Sequence, residues 1–260
     1  MKVIIVGAGA MGCLYGAFLS EKNQVIMVDT SRAVVDRINS QGIVVKEENG
    51  EEKNYRNNIS AYISGECDEK ADVVIMFVKS TYLESALEQN KKLFHEDTMV
   101  LTLQNGAGND RKIERYAKKE NIIIGTSKHN AFSEAPAVVR HTGSGATTIG
   151  SNHHADELLK KLDEMLRESS LETVVSDDIQ RIIWDKLFVN LSINAFTAIA
   201  QTPIGYMIKD KYAWNFAKRL IYEAIEVAEE DGTYFDRRQV LESEKQTCKR
   251  IEHGYSSMYQ

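Results

Sequence analysis

Three glycines close to the N-terminus have the spacing of a nucleotide-binding turn. An apolar run of strand type, residues 2–6, leads into Gly7, Gly9 and Gly12, and a run of helix type, residues 13–19, follows. In that context the first glycine permits a tight turn, the second lets the backbone approach a pyrophosphate, and the third lets the helix pack against the strand. Free N–H groups at the helix N-terminus then bind the pyrophosphate. A tight turn without a ligand is the alternative. The predicted dinucleotide site comprises Gly7, Ala8, Gly9, Ala10, Met11 and Gly12.

Asp29 ends a second short apolar run, residues 24–29, at the position where such sites meet the adenosine ribose. An acid there accepts a hydrogen bond from a free ribose 2′-hydroxyl and repels a 2′-phosphate, which favours NADH. Arg32 could instead meet a phosphate, with Ser31 assisting, so NADPH stays open. Both Asp29 and Arg32 are therefore predicted cofactor contacts.

Lys186, Asn190 and Asn194 follow one another at intervals of four residues in a predicted helix, which places them along one face. The residues between them are mostly apolar, and a helix that is apolar almost all round is buried. A buried amide without a partner costs about 1–3 kcal/mol. The polar face must therefore meet either a cleft or hydrogen-bonding partners, and the nucleotide turn elsewhere in the chain favours the cleft.

The surrounding elements alternate between strand and helix through residues 1–176, which predicts a doubly wound parallel sheet. The apolar run at residues 71–78 is typical of a strand covered on both faces. Lys79 follows it at the carboxyl end, where ligands bind in such sheets. Residues 138–149 are predicted to form a hairpin appended to that sheet. From residue 177 the pattern is helical, so we predict an α/β fold with a Rossmann-type domain at 1–176 and an all-α domain at 177–260.

The composition and charge of the chain bear on its partners, its location and the presence of metal sites. The 260 residues are 43% hydrophobic and carry a net charge of −6 with interspersed signs, which favours neither nucleic acid nor an anionic membrane as a partner. No run of about 18 apolar residues and no signal peptide is recognised, so we expect a cytoplasmic protein. Neither the three cysteines nor the histidines have the spacing of a metal site, and none is expected.

Several further motifs occur in the order found in ketopantoate reductases (2-dehydropantoate 2-reductases), and the chain resembles that family along its full length. The most discriminating motif is the block at residues 184–199, which contains the lysine and the two asparagines. The others are the glycine run at 7–12, Val78-Lys79, Gln104-Asn105-Gly106, the Gly-Thr-Ser-Lys-His segment at 125–129, and Ser256-Ser257-Met258.

The resemblance implies reduction of 2-dehydropantoate to pantoate, a step of pantothenate and coenzyme A biosynthesis, with NADPH as the family's usual cofactor. It implies that Lys186 is the general acid that protonates the ketone oxygen as hydride arrives. An ammonium beside a carbonyl stabilises the developing negative charge, which suits that role. The implied substrate contacts are Asn105, Asn190, Asn194 and Ser257. The implied cofactor contacts include Lys79, Asn105 and the backbone at Ala131.

One departure from the family concerns the C-terminal region. In the family a glutamate-bearing segment follows the serine-serine-methionine motif, whereas this sequence ends at Gln260. Either the sequence is a fragment, or the natural protein lacks an active-site carboxylate and part of its helical core. The missing helices should leave apolar surface exposed, which predicts either poor solubility or compensation by contacts in an oligomer such as a homodimer. Two alternatives stay open: a reductase of another small 2-keto acid, and a catalytically impaired NAD(P)-binding paralogue.

Overall fold

The computed structural model describes residues 1–153 and 155–259. Two compact units divide the chain, one from Met1 to Ile179 and the other from Gln180 onward. The first is a mixed α/β unit and the second is helical, so the predicted fold class is confirmed.

The first unit contains twelve strands and five helices in the part of the chain that the structure describes. The strands are β1 (Lys2–Val6), β2 (Gln24–Asp29), β3 (Ile43–Lys46), β4 (Glu52–Tyr55), β5 (Ile59–Ile63), β6 (Val73–Met76), β7 (Met99–Thr102), β8 (Ile122–Ser127), β9 (Asn130–Ala135), β10 (Val138–Gly143), β11 (Thr147–Gly150) and β12 (Thr173–Val175). The helices are α1 (Ala10–Leu19), α2 (Arg32–Gln41), α3 (Leu83–Gln89), α4 (Asn109–Ile113) and α5 (Asp156–Glu168).

Eight strands form the central sheet in the order β12-β11-β8-β7-β6-β1-β2-β5. Every neighbouring pair is parallel except β8 and β11. Val6 at the end of β1 is in register with Val28 of β2 and Met76 of β6. The carboxyl ends of these three strands therefore reach one edge, at the point where the strand order reverses and ligands bind in such sheets.

A second, four-stranded sheet has the order β4-β3-β10-β9. Strands β3 and β4 form an antiparallel hairpin, and Asn49-Gly50, a dipeptide typical of hairpin turns, lies between them. The hairpin predicted at residues 138–149 is wrong. Its first half, β10, pairs with β3 and β9, whereas its second half, β11, pairs with β8 and β12 in the central sheet. The chain changes sheets across Gly143–Gly145, so no ladder forms between β10 and β11.

The second unit contains helices α6 (Ile179–Val189), whose first residue closes the first unit, α7 (Ala195–Ala200), α8 (Tyr206–Lys209), α9 (Lys211–Glu230) and α10 (Arg237–Arg250). A π-helical turn, Asn190–Asn194, joins α6 to α7. Asp210 caps α9 and Asp236 caps α10, each through one carboxylate oxygen that accepts two backbone N–H groups. The core of the unit lies between these helices. Its buried side chains include Ile193, Ile204, Met207, Ala213, Ala217 and Cys248.

Within residues 1–153 and 155–259, one helical run, Ile179–Ala200, is long and apolar enough to cross a membrane by length and composition alone. Asp185 and Lys186 interrupt this run, so it contains no unbroken apolar stretch of about 18 residues. Phe188 and Ile193 of the run are fully buried inside the second unit. A core helix of a globular protein passes the same test.

Candidate functional site

The glycine turn of the first unit has the backbone geometry that a nucleotide-binding turn needs. Gly7 has a φ of +104°, which favours glycine, and its N–H donates to the Val28 carbonyl. A Cβ on Gly12 would lie 1.9 Å from the Gly7 carbonyl oxygen, so only glycine lets α1 begin so close to β1. A Cβ on Gly9 would meet no atom within 4 Å, so the backbone there faces open space. The turn therefore has both the close packing and the free approach that a pyrophosphate requires.

Asp29 connects the end of β2 to this turn. One carboxylate oxygen accepts a hydrogen bond from the Ala8 N–H at 2.7 Å, and the other accepts one from the Ser31 N–H at 2.8 Å. A negative charge is thus held at the edge of the sheet by two backbone donors. Arg32, by contrast, is exposed and lies 3.6 Å from Glu66, a carboxylate that balances its charge.

An open cavity of about 470 Å³ lies at this edge, a volume within the range of small-molecule sites. Four predicted residues line it: Gly7, Gly9, Asp29 and Lys79. Ser64, Tyr82 and Gln89 also line the cavity and were not predicted. Their positions after β5 and β6, at the carboxyl edge of the sheet, are the signal that could have identified them.

None of the other predicted residues of the first unit is among the described residues that line this cavity. Those other predicted residues are Ala8, Ala10, Met11, Gly12, Arg32, Asn105 and Ala131. Asn105 is exposed in the turn after β7, where its carbonyl oxygen accepts a hydrogen bond from the Asn109 side chain. Ala131 lies in β9 opposite His141. Asn105 follows β7, which lies on the opposite side of the switch point from β2 and Asp29, whereas Ala131 belongs to the second sheet.

A chain of three ionisable side chains lies beside β9 and was not predicted. Glu47 accepts from His141 Nδ1 at 2.8 Å, and His141 Nε2 lies 3.0 Å from His129 Nδ1. With a neutral pair, the Glu47 carboxylate places the His141 proton on Nδ1, so His141 Nε2 accepts from His129. Burial, and to a smaller extent the neighbouring His141, lowers the pKa of His129 to about 4. His129 is therefore neutral near pH 7.

The second unit carries the predicted polar face. Lys186 is in the last turn of α6, and burial lowers the pKa of its ammonium group. The Asn194 side-chain N–H₂ donates to the Asn190 side-chain oxygen at 2.9 Å, so both asparagines are oriented by the same bond. Asn194 is buried, whereas Asn190 is half-buried. The structure therefore brings the two amides together on the run that begins with Lys186.

Ser256 and Ser257 have different surroundings. Ser257, the predicted substrate contact, is exposed. Ser256 is buried and its hydroxyl donates to the Asn194 carbonyl oxygen at 3.2 Å. The exposed Ser257 therefore directly follows a residue that is hydrogen-bonded to the backbone of Asn194.

Glu244 of α10 is a buried acid in this unit that the sequence analysis missed. Its side chain is only 3% exposed, and its Oε2 atom has no hydrogen-bond partner among the described residues. Burial and the nearby Asp185 charge raise the pKa of Glu244 to about 8. The sequence of α10 does not predict the burial of Glu244, because its neighbours in the sequence are mostly polar as well.

Comparison with known proteins decides the family. The profile described as "Ketopantoate reductase PanE/ApbA" matches residues 3–154, and the profile of its C-terminal domain matches residues 178–260. The chain belongs to the ketopantoate reductase family. It is an oxidoreductase of that family, with a Rossmann-type N-terminal domain and a helical C-terminal domain, as the motifs predicted.

Individual relatives of the ketopantoate reductase family align along the whole chain. The 2-dehydropantoate 2-reductase of Halobacterium salinarum is 31% identical, over 100% of this chain and 85% of the relative. The enzyme of the same name from Lactococcus lactis is 32% identical, over 100% and 84%. The ternary structure of D-mandelate dehydrogenase with NADH and anilino(oxo)acetate superposes with a TM-score of 0.89, at 30% identity over 100% of this chain and 84% of that one.

Proposed function

We propose that the chain reduces 2-dehydropantoate to pantoate with a reduced nicotinamide dinucleotide, with Lys186 as the general acid. The observation that carries the proposal is the bonded pair of amides, Asn190 and Asn194, on the helical run that begins with the half-buried Lys186, in a member of the ketopantoate reductase family. An amine and two amides on an otherwise apolar helix match a small, polar, anionic substrate better than a surface role.

In this proposal Lys186 donates a proton to the ketone oxygen. Burial lowers the pKa of its ammonium group, which brings the proton closer to the range where transfer is efficient. The positive charge also stabilises negative charge developing on that oxygen. Asn190, Asn194 and Ser257 bind the hydroxyl and carboxylate groups of the substrate, with no added negative charge to repel the carboxylate.

We assign dinucleotide binding to residues 1–176 and substrate binding to residues 177–260. The glycine turn, with its open approach at Gly9 and its tight packing at Gly12, fits a pyrophosphate. A bound dinucleotide supplies the hydride. The proposed contacts of the cofactor are Gly7, Ala8, Gly9, Ala10, Met11, Gly12, Asp29, Arg32, Lys79, Asn105 and the backbone at Ala131.

We propose NADH as the preferred form of the cofactor. Asp29 holds a negative charge where a 2′-phosphate would lie, and Glu66 lies 3.6 Å from Arg32, a cation that could otherwise offset that charge. The family resemblance favours NADPH instead, so the oxidation rates of NADH and NADPH need to be compared directly.

The test is an absorbance assay of NADH and NADPH oxidation with 2-dehydropantoate, for the wild type, Lys186→Ala and Lys249→Ala. Lys249 is an exposed lysine of α10 and serves as the matched control. We expect turnover to fall by about 100-fold or more in Lys186→Ala and to be unchanged in Lys249→Ala. Equal rates for Lys186→Ala and the wild type would overturn the role of Lys186. Dinucleotide binding with no turnover of any keto acid would favour the impaired paralogue.

A second candidate function is the NADH-dependent reduction of a different 2-keto acid. Two observations favour it: the Asp29 carboxylate, and the similarity to D-mandelate dehydrogenase solved with NADH. A panel with 2-dehydropantoate, phenylglyoxylate and aliphatic 2-keto acids separates the candidates by kcat/KM. A cytoplasmic location and a homodimer stay predictions, the second testable by light scattering.

A further inference from the structure

The polar face of the second unit lies on an unusual stretch of helix. Residues Asn190–Asn194 form a π-helical turn between the α-helical segments α6 and α7. Such turns are rare, and they close hydrogen bonds over five residues instead of four. Two of the proposed substrate contacts, Asn190 and Asn194, are the first and last residues of this turn.

The π-turn changes which side chains share a face. An α-helix rotates by about 100° per residue, so Lys186 and Asn194 would be offset by about 80° in an unbroken α-helix. A π-turn closes its hydrogen bonds over five residues, so each of its residues rotates by less than the roughly 100° of an α-helix. The offset between Lys186 and Asn194 is therefore smaller than the value of about 80° for an unbroken α-helix. The turn brings the second asparagine closer to the direction of the lysine.

Two buried hydroxyl groups in and after this turn donate to backbone carbonyls four residues back. Ser192 Oγ donates to the Phe188 carbonyl at 2.6 Å, and Thr197 Oγ1 donates to the Ile193 carbonyl at 2.9 Å. A serine or threonine that bonds four residues back is ordinary in helices, so these two bonds alone decide little. Ser256, however, comes from outside the helix.

The hydroxyl groups of Thr197, in α7, and Ser256, beyond the end of α10, lie next to each other and form a hydroxyl pair. Their oxygens lie 3.1 Å apart, and Ser256 Oγ lies 3.2 Å from the Asn194 carbonyl oxygen. Both side chains are almost fully buried. Thr197 Oγ1 also lies 3.2 Å from the Asn194 carbonyl oxygen, so both hydroxyls are within hydrogen-bond distance of that carbonyl. The pair thus places donors at two consecutive carbonyls of the turn, those of Ile193 and Asn194.

We propose that Thr197 and Ser256 are positioning residues, whose hydroxyl pair holds the π-turn and so keeps Asn194 and Ser257 aligned with Lys186. Ser257 follows Ser256 directly, so the same pair fixes the exposed serine beside the asparagines. The kinetic part of this proposal rests on the proposed reductase function, whereas the structural part does not.

The test compares Thr197→Val, Thr197→Ser and Ser256→Ala with the wild type. Valine keeps the shape of threonine without the hydroxyl, and serine keeps the hydroxyl. Ser169→Ala is the matched control, because Ser169 is buried and donates to the carbonyl four residues back, at Met165 of α5 in the first unit. The measurements are kcat, KM for the keto acid, the Kd of NADH, and amide hydrogen exchange over residues 188–198.

We expect kcat to fall by about 10- to 100-fold in Thr197→Val and Ser256→Ala, since small displacements of positioned groups cost that much. Thr197→Ser should retain nearly the wild-type rate, and NADH should bind all variants equally. Amide exchange at 190–195 should rise in Thr197→Val and Ser256→Ala but not in Ser169→Ala.

Two results would overturn the proposal. One is wild-type kcat and KM in folded Thr197→Val and Ser256→Ala. The other is unchanged amide exchange at 190–195 in both variants, which can be read even if one of them folds poorly. A wild-type protein that reduces none of the keto acids would instead overturn the proposed function, and the exchange measurement would still decide whether the hydroxyl pair holds the turn.

Discussion

The Asp29 carboxylate accepts a hydrogen bond from the Ala8 backbone N–H at 2.7 Å, which ties the end of the second strand to the glycine turn. The same carboxylate accepts from the Ser31 N–H through its other oxygen. Asp29 therefore combines two roles: it shapes the turn, and it places a negative charge beside the proposed ribose position.

Asp29→Asn should shift the cofactor preference from NADH towards NADPH. Removing the charge removes the repulsion of a 2′-phosphate, so we expect the NADPH-to-NADH ratio of kcat/KM to rise by about tenfold, or about 1.4 kcal/mol. Asp36→Asn, an exposed acid on α2, is the control and should change neither value. An unchanged ratio in Asp29→Asn would contradict the proposed cofactor preference.

Gly9→Ala and Gly12→Ala should separate cofactor binding from folding. The methyl group of Gly9→Ala meets no protein atom, so we expect wild-type stability but loss of the thermal stabilisation that NADH confers. In Gly12→Ala the methyl group would lie 1.9 Å from the Gly7 carbonyl oxygen, and we expect a loss of about 1–3 kcal/mol in the free energy of unfolding. Thermal unfolding with and without NADH measures both. Equal behaviour of the two variants would contradict the geometry of the turn.

Glu244→Gln should stabilise the protein at alkaline pH. The pKa of Glu244 is raised from 4.5 to about 8 by burial, so the folded state retains a proton that the unfolded state has lost. Stability from this group is therefore lost as pH rises from about 4.5 to about 8. At 1.4 kcal/mol per pKa unit, we expect Glu244→Gln to gain on the order of 2–4 kcal/mol at pH 8 and little at pH 4.5. Chemical denaturation at both pH values measures this.

Glu242→Gln is the control for that experiment, because Glu242 is an exposed acid on the same helix. It should give the same pH dependence as the wild type. A gain at pH 8 that is equal to the gain at pH 4.5 would contradict the raised pKa of Glu244.

His129→Gln should flatten the acid side of the stability curve. Burial lowers the pKa of His129 from 6.5 to about 4, so the unfolded state binds a proton that the folded state does not. The wild type should lose stability from this group as pH falls from about 6.5 to about 4, whereas His129→Gln should not. His253→Gln, at an exposed histidine, is the control. Parallel curves for the wild type and His129→Gln would contradict the lowered pKa.

Features that depend on the spacing of residues along the chain could be predicted from the sequence. The glycine turn, Asp29 after the second strand, and the lysine-asparagine run are all visible as spacing, and the family and fold class that follow from them are confirmed. The polar residues lining the cavity after β5 and β6 were missed, because single residues such as Ser64, in a loop, and Gln89, at the end of α3, belong to no recognisable spacing.

The pairing of strands was harder to predict from the sequence. Residues 138–149 have the alternation of a hairpin, but β10 and β11 belong to different sheets. Which partner a strand takes depends on residues far away in the chain, here β3 for one and β8 for the other. Alternation alone cannot distinguish a neighbouring partner from a distant one.

The sequence by itself determined the glycine turn, the acid at the end of β2 and the order of the family's motifs, because each depends on residues close together along the chain. Only the tertiary structure decided the His129–His141–Glu47 chain, the burial of Glu244 and the hydroxyl pair of Thr197 and Ser256. Their partners are separated by many residues, and burial changes a pKa only once the chain has folded around the group. The π-turn at Asn190–Asn194 likewise follows from carbonyl partners that the folded chain supplies.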